Sequence, residues 1–579
     1  MESLNYKKDP EYSGFSSSPD EKHDAAPAYD DSDRLSLGPD MTEFNQLGFW
    51  TRNGLTLESF KRRKGPIGNL NATMKPRHLH MIAIGGSIGA GLFVGSGSAL
   101  SNGGPAALLL AFGIIGVMIF NVVYALGELA VVFPVSGGFY TYSTRFIDPS
   151  WGFAMGWNYV FQWAIVLPLE LTVAGLTVEY WNSGVSVAVW ITVFWLILII
   201  INIFGTLGYA EEEFWSSLLK LIAIVLFMII GVVLCAGGGP AGGKYDEYWG
   251  ARTFYNPGAF ANGFKGLCAV FVTAAFAFSG TELVGLAAAE SRNPAKALPG
   301  AIKQVFWRIT LFYILALLFI GLLVEHTDER LLGSGLSDSQ ASPFVIAAKD
   351  AGLIGFDSFM NVVILVSVIS IGNSGIYGGS RTLTALAEQG YAPKFFTYID
   401  KSGRPLFSVI FILAFSPIAY VGLSSSGEVV FAWLQALSGL AALFTWGSIC
   451  LSHIRFRKAW KYHGHSLDEV PFQAIFGVYG SWVGLILIFL VLVAQFAVAL
   501  YPLGGDPPSA EAFFKAYLAL PVVLVFWIGG YFWKRTGWLR THQMDVTTNR
   551  RVVDWDRING EKARVAAMPG WRRFLHLFF

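Results

Sequence analysis

Charge is scarce in this sequence, and that scarcity excludes the largest set of functions. Asp, Glu, Lys and Arg make up 14% of 579 residues, against about 25% in an ordinary globular protein. There are three cysteines, Cys235, Cys268 and Cys450, each in or beside an apolar run and none in a ligand-like spacing. They supply neither a disulfide framework nor a metal site. No Gly-rich phosphate loop with its Lys and Ser/Thr occurs, so ATP-driven transport is not expected. The nine histidines form no HExxH-like pair, and no serine sits in a GxSxG elbow. An enzyme is therefore not expected, and no cofactor is called for. A basic, folded soluble domain is also missing, which argues against nucleic-acid binding.

What the chain has is apolar length. Hydrophobic residues make up 54% and the mean hydropathy is +0.50. From Leu79 to Trp533 long apolar runs succeed one another, each near the ~20 residues that a helix needs to cross a bilayer. This is the pattern of a polytopic membrane protein in contact with membrane lipids. Twelve spans are expected, beginning near Leu79, Ala107, Gly152, Val187, Phe214, Gly266, Val305, Asp357, Leu406, Val429, Ser481 and Ala516. The charges gather in two polar tails, 1–78 and 535–579, around a transporter-sized domain at 79–534. SSSPDEKHD and YDDSD in the first tail predict disorder, because they cannot bury enough apolar surface to offset the ordering entropy. With no signal peptide ahead of it, the first span would act as an uncleaved signal anchor.

Lys and Arg counts set the expected orientation. With the N-terminus inside, the inner loops hold Arg145, Arg292, Lys296, Lys303, Arg308, Arg381, Lys394, Lys401, Arg404, Arg455, Arg457, Lys458 and Lys461. The outer loops hold six basic residues, Lys244, Arg252, Lys265, Arg330, Lys349 and Lys515. Both tails are expected in the cytoplasm, which leaves the Asn71-Ala72-Thr73 glycosylation pattern on the wrong side.

Two spans carry helix-breaking residues. IGGSIGAGLFVGSG in the first has glycines at 85, 86, 89, 91, 95 and 97, each less favourable in a helix than Ala by about 1 kcal/mol. A break in lipid survives only where it lines protein or an aqueous cavity. There it offers free N–H groups and a positive helix end to a carboxylate. Two or three glycines would suit close helix packing alone; six within thirteen residues favour a binding site. In the sixth span, Ser279-Gly280-Thr281 precedes Glu282, a carboxylate that must face a cavity or a partner. Spans one and six stand five apart, the relation expected of inverted repeats with a site at their interface.

Three further ionisable residues fall inside spans. Lys220, in FWSSLLKLIAIVLF, either pairs and titrates, which would suit proton coupling, or snorkels to the interface. Glu128 lies near a span end, where a pairing role is expected. Glu170 follows Pro168 and is either structural or placed to meet a cation.

At these residues the chain resembles the fungal amino acid permeases of the amino acid–polyamine–organocation superfamily, and most closely the general, broad-specificity members. IAIGGSIGAGLFVGSG, ALGELAVVFPVSGGFYTYSTRFIDPSWGFAMGWNYVFQW, LPLELTVAG, FAFSGTELVGLAAAESRNPAKALPGAIKQVFWRI, SGIYGGSRTLTALAEQGYAPKFF and FAWLQALSGLAALFTWGSICLSHIRFRKAW carry the resemblance. It implies an all-α fold with a five-plus-five inverted-repeat, LeuT-like core and two further helices. It also implies a plasma-membrane transporter that takes up an amino acid with protons. Ser87, Ile88, Gly89 and Gly91 would line the substrate's carboxylate end; Phe278, Ser279 and Thr281, with Ile84, its amino end. Phe276 would cover the substrate, and Ser438 would tune side-chain selection. Lys220 matches a lysine standing where sodium-coupled relatives bind sodium, which favours the proton as driving ion, and Glu282 matches a position with proton or gating roles. Lys7 and Lys8 in the first tail are candidate sites for ubiquitin-ligase machinery. The ending FLHLFF departs from the aromatic–cysteine ending common in general permeases, which puts lipidation there in doubt. A permease-like sensor is the alternative, although such sensors usually have a longer N-terminal domain. Transport of γ-aminobutyrate, a polyamine or choline is a third reading, and a carboxylate-binding break counts against the last two.

Overall fold

The computed structural model describes residues 49–52, 54–63, 74–134, 138–291, 294–333, 342–423, 427–504, 507–551 and 555–575. Lys7, Lys8 and Asn71 lie outside them. The described residues are built from helices, with only two isolated bridges, Arg62 with Asp400 and Met74 with Ser291.

Among the described residues, nine helices are long and apolar enough to cross a membrane, and the shorter apolar helices Val187–Ile203 and Ala519–Lys534 join them. A further crossing is the broken first span: Pro76–Gly85, then Ala90–Phe93, running on into Gly95–Val132. That last helix turns at Gly104, with φ of 81° immediately before Pro105, and so contains the end of the first crossing and the whole of the second. The kink is held from outside. Ala261 N–H donates to Gly103 O (2.8 Å) and Ala106 N–H to Ala259 O (2.9 Å), serving backbone groups that a proline kink frees.

The third crossing is Pro149–Glu179, capped by the Asp148 carboxylate, which accepts from Ser150 N–H at 2.9 Å. The fifth is Gly205–Cys235, the eighth Phe356–Glu388 and the tenth Gly427–Tyr462. The sixth is broken into Gly263–Phe278 and Leu283–Ala289. The seventh runs from Pro294 through a wide turn at Arg308–Leu315 to Leu323. Burial separates inner from outer helices. The most apolar stretch of the third span is 89% buried, that of the eleventh, Gly477–Leu500, 28%. The third and eighth spans pack most extensively on each other, beside the two broken ones.

Two expectations need correction, and a further helix stands between the seventh and eighth spans. The fifth span starts at Gly205, nine residues ahead of Phe214, because the EEE run at 211–213 lies inside the helix with Glu213 fully buried. Arg308 and Arg381, counted above as inner-loop cations, lie within the seventh and eighth helices and are buried. The polar stretch between the seventh and eighth spans contains a helix, Pro343–Asp350, whose Phe344 packs edge-on against Phe93 at 5.1 Å.

Candidate functional site

Both breaks fall where the sequence places them, and long side chains from neighbouring helices serve their backbone carbonyls. Arg308 donates to Ala83 O at 2.8 Å and also to the Thr281 hydroxyl. The Tyr313 hydroxyl lies 3.0 Å from Ser87 O and 2.8 Å from Ala277 O, bridging the two broken spans. Lys220 Nζ reaches Gly85 O at 3.4 Å. Thr281 Oγ1 donates to Phe278 O at 2.6 Å. Each of these replaces a hydrogen bond that a continuous helix would make for itself, as a low-dielectric setting demands.

A carboxyl group from the third span stands at the start of the second half-helix. The first N–H groups of a helix have no partner inside it and carry partial positive charge. Glu170, from the third span, lines one cavity with Ala90, and its Oε2 is buried without a partner among the described residues.

The cavity is small. The first span contributes Ser87, Gly89, Ala90 and Gly91; the third Trp163, Val166 and Glu170; the sixth Phe276 and Ser279; the eighth Ile371. Gly89 and Gly91 are required by proximity. A Cβ at Gly89 would lie 2.3 Å from Ile371 Cγ1, and one at Gly91 2.4 Å from the Ala277 Cα. The Trp163 ring fits against Gly375 and Gly378 of the eighth span, where added Cβ atoms would meet it at 2.9 and 3.1 Å. Gln162 Nε2 holds the Ser279 hydroxyl at 2.7 Å.

Of the residues singled out from sequence, the cavity gathers Ser87, Gly89, Gly91, Phe276, Ser279 and Glu170. The others stand around it. Ile84 is partly exposed on the half-helix before the break, and Ile88 is fully buried outside the lining. Phe278 turns away to stack on Tyr313, centroids 4.3 Å apart, while Thr281 is engaged with Phe278 O and Arg308. Ser438, in the tenth span, is buried with its hydroxyl unpartnered among the described residues. Glu282 accepts from Trp446 Nε1 at 3.1 Å and from Gly280 N–H at 3.3 Å. Lys220 is fully buried rather than snorkelling, with Nζ 2.9 Å from Ser370 Oγ and 3.8 Å from Glu213 Oε1. Glu128 pairs as expected of a structural acid, with Arg457 at 2.7 Å and His453 at 3.1 Å.

Trp163, Val166 and Ile371 were not anticipated. The first two stand seven and four residues before Glu170, on one helical face, so suspicion of Glu170 would have led to them. Ile371 comes from another helix and leaves no such trace.

The comparisons with known proteins agree with this architecture. The amino acid permease family model matches residues 78–543. The amino-acid permease inda1 of Hypocrea atroviridis is 66% identical over 549 residues, covering 94% of this chain and 95% of that protein. The general amino-acid permease GAP1 of Saccharomyces cerevisiae is 53% identical, over 86% and 84% of the two chains. The general amino-acid permease GAP2 of Candida albicans is 50% identical, over 94% and 90%. Among solved structures, the Eremococcus coleocola manganese transporter superposes with a TM-score of 0.50 at 12% identity, over 80% of this chain and 97% of that one. At that identity the likeness concerns fold alone, a LeuT-like transporter core. With two broken helices, a cavity between them and relatives matching along nearly its whole length, the chain belongs to the amino acid permease family.

Proposed function

We propose that this protein takes up amino acids together with protons across the plasma membrane, by alternating access around the breaks in spans one and six, and with broad specificity. The observation that carries the proposal is Glu170, whose carboxyl group lines the cavity with Ala90 at the half-helix end and has Oε2 without a partner among the described residues. An ionised Glu170 would repel a substrate carboxylate drawn to the same end, because two carboxylates sharing a site do not both stay ionised. Protonation of Glu170 frees the helix end, so substrate and proton enter together. Ser87, Ile88, Gly89 and Gly91 then form the carboxylate end of the site. Ser279, with Phe278, Thr281 and Ile84 behind it, forms the amino end. Phe276 lies over the substrate, and Ser438 influences the side chain from the tenth span. Lys220, next to the break, takes part in the proton coupling with Glu170, and Glu282 is a further candidate proton carrier. The names of the general permeases among the relatives support broad specificity. The excess of basic residues on one side supports cytoplasmic tails of 1–78 and 535–579 flanking the transporter domain at 79–534.

The test is uptake of radiolabelled amino acids by permease-deficient yeast expressing the chain, with competitors and with or without a protonophore. Uptake that many amino acids compete for, and that the protonophore abolishes, is expected. Binding without uptake would favour a sensor instead, and a response to γ-aminobutyrate alone would change the substrate. Within that assay, Glu170→Gln should abolish stimulation by acidic medium while retaining binding. If its pH profile matches wild type and Glu282→Gln flattens, the proton belongs on Glu282.

A further inference from the structure

The fifth span carries a second buried charge that the reading above does not use. Glu213, Ser217 and Lys220 follow at i, i+4 and i+7 and share one helix face. Glu213 and Lys220 are each fully buried. Three hydroxyls donate to Glu213: Ser217 to Oε1 at 2.8 Å, and Ser370 and Ser374 to Oε2 at 2.7 and 3.1 Å. The Ser370 hydroxyl also accepts from Lys220 Nζ at 2.9 Å. The ammonium, the hydroxyl and the carboxylate therefore form one directed chain of donors and acceptors.

We propose that Glu213 is the proton partner of Lys220, and that the coupling proton moves along Lys220, Ser370 and Glu213. The step balances within the chain. A Lys220 N–H bond breaks as its proton passes to Ser370 Oγ, and the original Ser370 proton passes to Glu213 Oε2. The products are a neutral amine and a neutral carboxylic acid. Lys220 also donates to Gly85 O at 3.4 Å, two residues from Ser87 in the cavity wall. Loss of the ammonium charge weakens that contact, because charged donors bond more strongly. The state of the relay is thus felt at the break in span one. Toward the start of the fifth span lies Glu212, partly exposed, with Asn373 Nδ2 on its Oε2 at 2.8 Å, which gives the proton a way out.

The other groups facing the pair are Glu170 from the third span, Glu212 and Tyr209 on the same helix, and Tyr377 and Arg381 on the eighth. Arg381 is bound to Glu290 at 3.0 Å, and Tyr209 stacks on Tyr377 with centroids 4.2 Å apart. Lys220 is the one cation in direct contact with Glu213 among the described ion pairs. A buried ion pair by itself says little about stability or function. The bridging hydroxyl and the link to the broken span are what distinguish this pair.

The inference rests on the participation of Lys220 in coupling, and the experiment separates the two. Uptake of a radiolabelled mixture of protein amino acids is measured against external pH in yeast expressing the full chain, and equilibrium binding of the same mixture on purified protein. Glu213→Gln should reduce acid-stimulated accumulation by a factor within the usual coupling range, about 5- to 150-fold, with binding unchanged, and Glu213→Asp should restore part of the pH response. Ser370→Ala keeps both charges and breaks the relay, so it decides the matter if Glu213→Gln does not reach the membrane. It should lose acid stimulation as well. A wild-type pH profile in Ser370→Ala and in any Glu213→Gln molecules at the surface would reduce Glu213 to a structural ion and overturn the proposal. A wild-type profile in Lys220→Met would remove Lys220 from coupling, and Glu213 with it.

Discussion

Substitution of Gly91 by alanine puts the close approach of spans one and six to a direct test. A Cβ there would lie 2.4 Å from the Ala277 Cα and 2.9 Å from its Cβ and backbone nitrogen. Ordinary van der Waals contact begins near 3.4 Å, so the helices must separate by about 1 Å, and no flexible side chain can give way instead. Overpacking of this kind costs about 1–3 kcal/mol, roughly a 5- to 150-fold change in an equilibrium between closed and separated arrangements. Gly89 is an informative neighbour. The atoms that an alanine Cβ there would meet first all belong to the Ile371 side chain, with Cγ1 at 2.3 Å. Removing that side chain in a Gly89→Ala, Ile371→Ala double variant should recover part of the loss, whereas no side-chain truncation should rescue Gly91→Ala. Gly113, in the second span with nothing within 4 Å of an added Cβ, serves as the neutral control. The readings are maximal uptake per surface molecule and melting temperature in detergent. Uptake within twofold of wild type together with an unshifted melt for Gly91→Ala would refute the close apposition.

Two further outcomes follow from groups that hold the backbone. Tyr313→Phe removes the hydroxyl shared by Ser87 O and Ala277 O, and leaving buried acceptors unpaired costs about 1–3 kcal/mol. The protein should melt at a lower temperature, with loss of uptake even in molecules that reach the surface; an unchanged melt would mean another donor takes over. Burial pushes the Asp545 carboxyl up, but hydrogen bonds from Thr548 and Thr547, with Arg145 nearby, outweigh it and bring the value to about 2. A depressed acid stabilises the docked C-terminal segment above its ordinary value of 3.8 and loses that contribution as pH falls toward about 2. Hydrogen exchange at Arg551, whose N–H donates to Val132 O at 3.0 Å, should therefore gain protection between those values as pH rises. Asp545→Asn should abolish that gain, and equal protection in both proteins would dismiss the link.

The breaks were legible because a membrane makes them so. Glycine, serine and threonine inside an apolar run can persist only where protein or a cavity receives the freed backbone, and IGGSIGAG and SGTE stand out on that ground alone. The cavity wall was less legible. Phe276 and Ser279 flank a visible break, but Trp163 and Ile371 meet across about two hundred residues of chain, in a register that composition does not carry. Phe278 and Phe276 are two apart and look equivalent in sequence. In the structure one stacks on Tyr313 while the other faces the cavity.

Charge misled in a consistent direction. A hydropathy reading ends a helix where charges gather, and so it began the fifth span after EEE and assigned Arg308 and Arg381 to loops. In the bundle these charges are satisfied: Glu213 by three hydroxyls and Lys220, Arg381 by Glu290, Arg308 by Ala83 O. Paired or hydrogen-bonded, a charge can remain within a membrane helix; alone, it would be too costly to keep there. Three of the ionisable groups found inside these helices, Lys220, Glu170 and Arg308, lie at the breaks of spans one and six. Lys220 touches the carbonyl before one break, Glu170 lines the cavity with the residue that follows it, and Arg308 donates to a carbonyl on the near side and to Thr281 of the other. Any movement of the half-helices must remake these charged contacts. For that reason a proton gained or lost among them acts on the same parts that a bound amino acid holds.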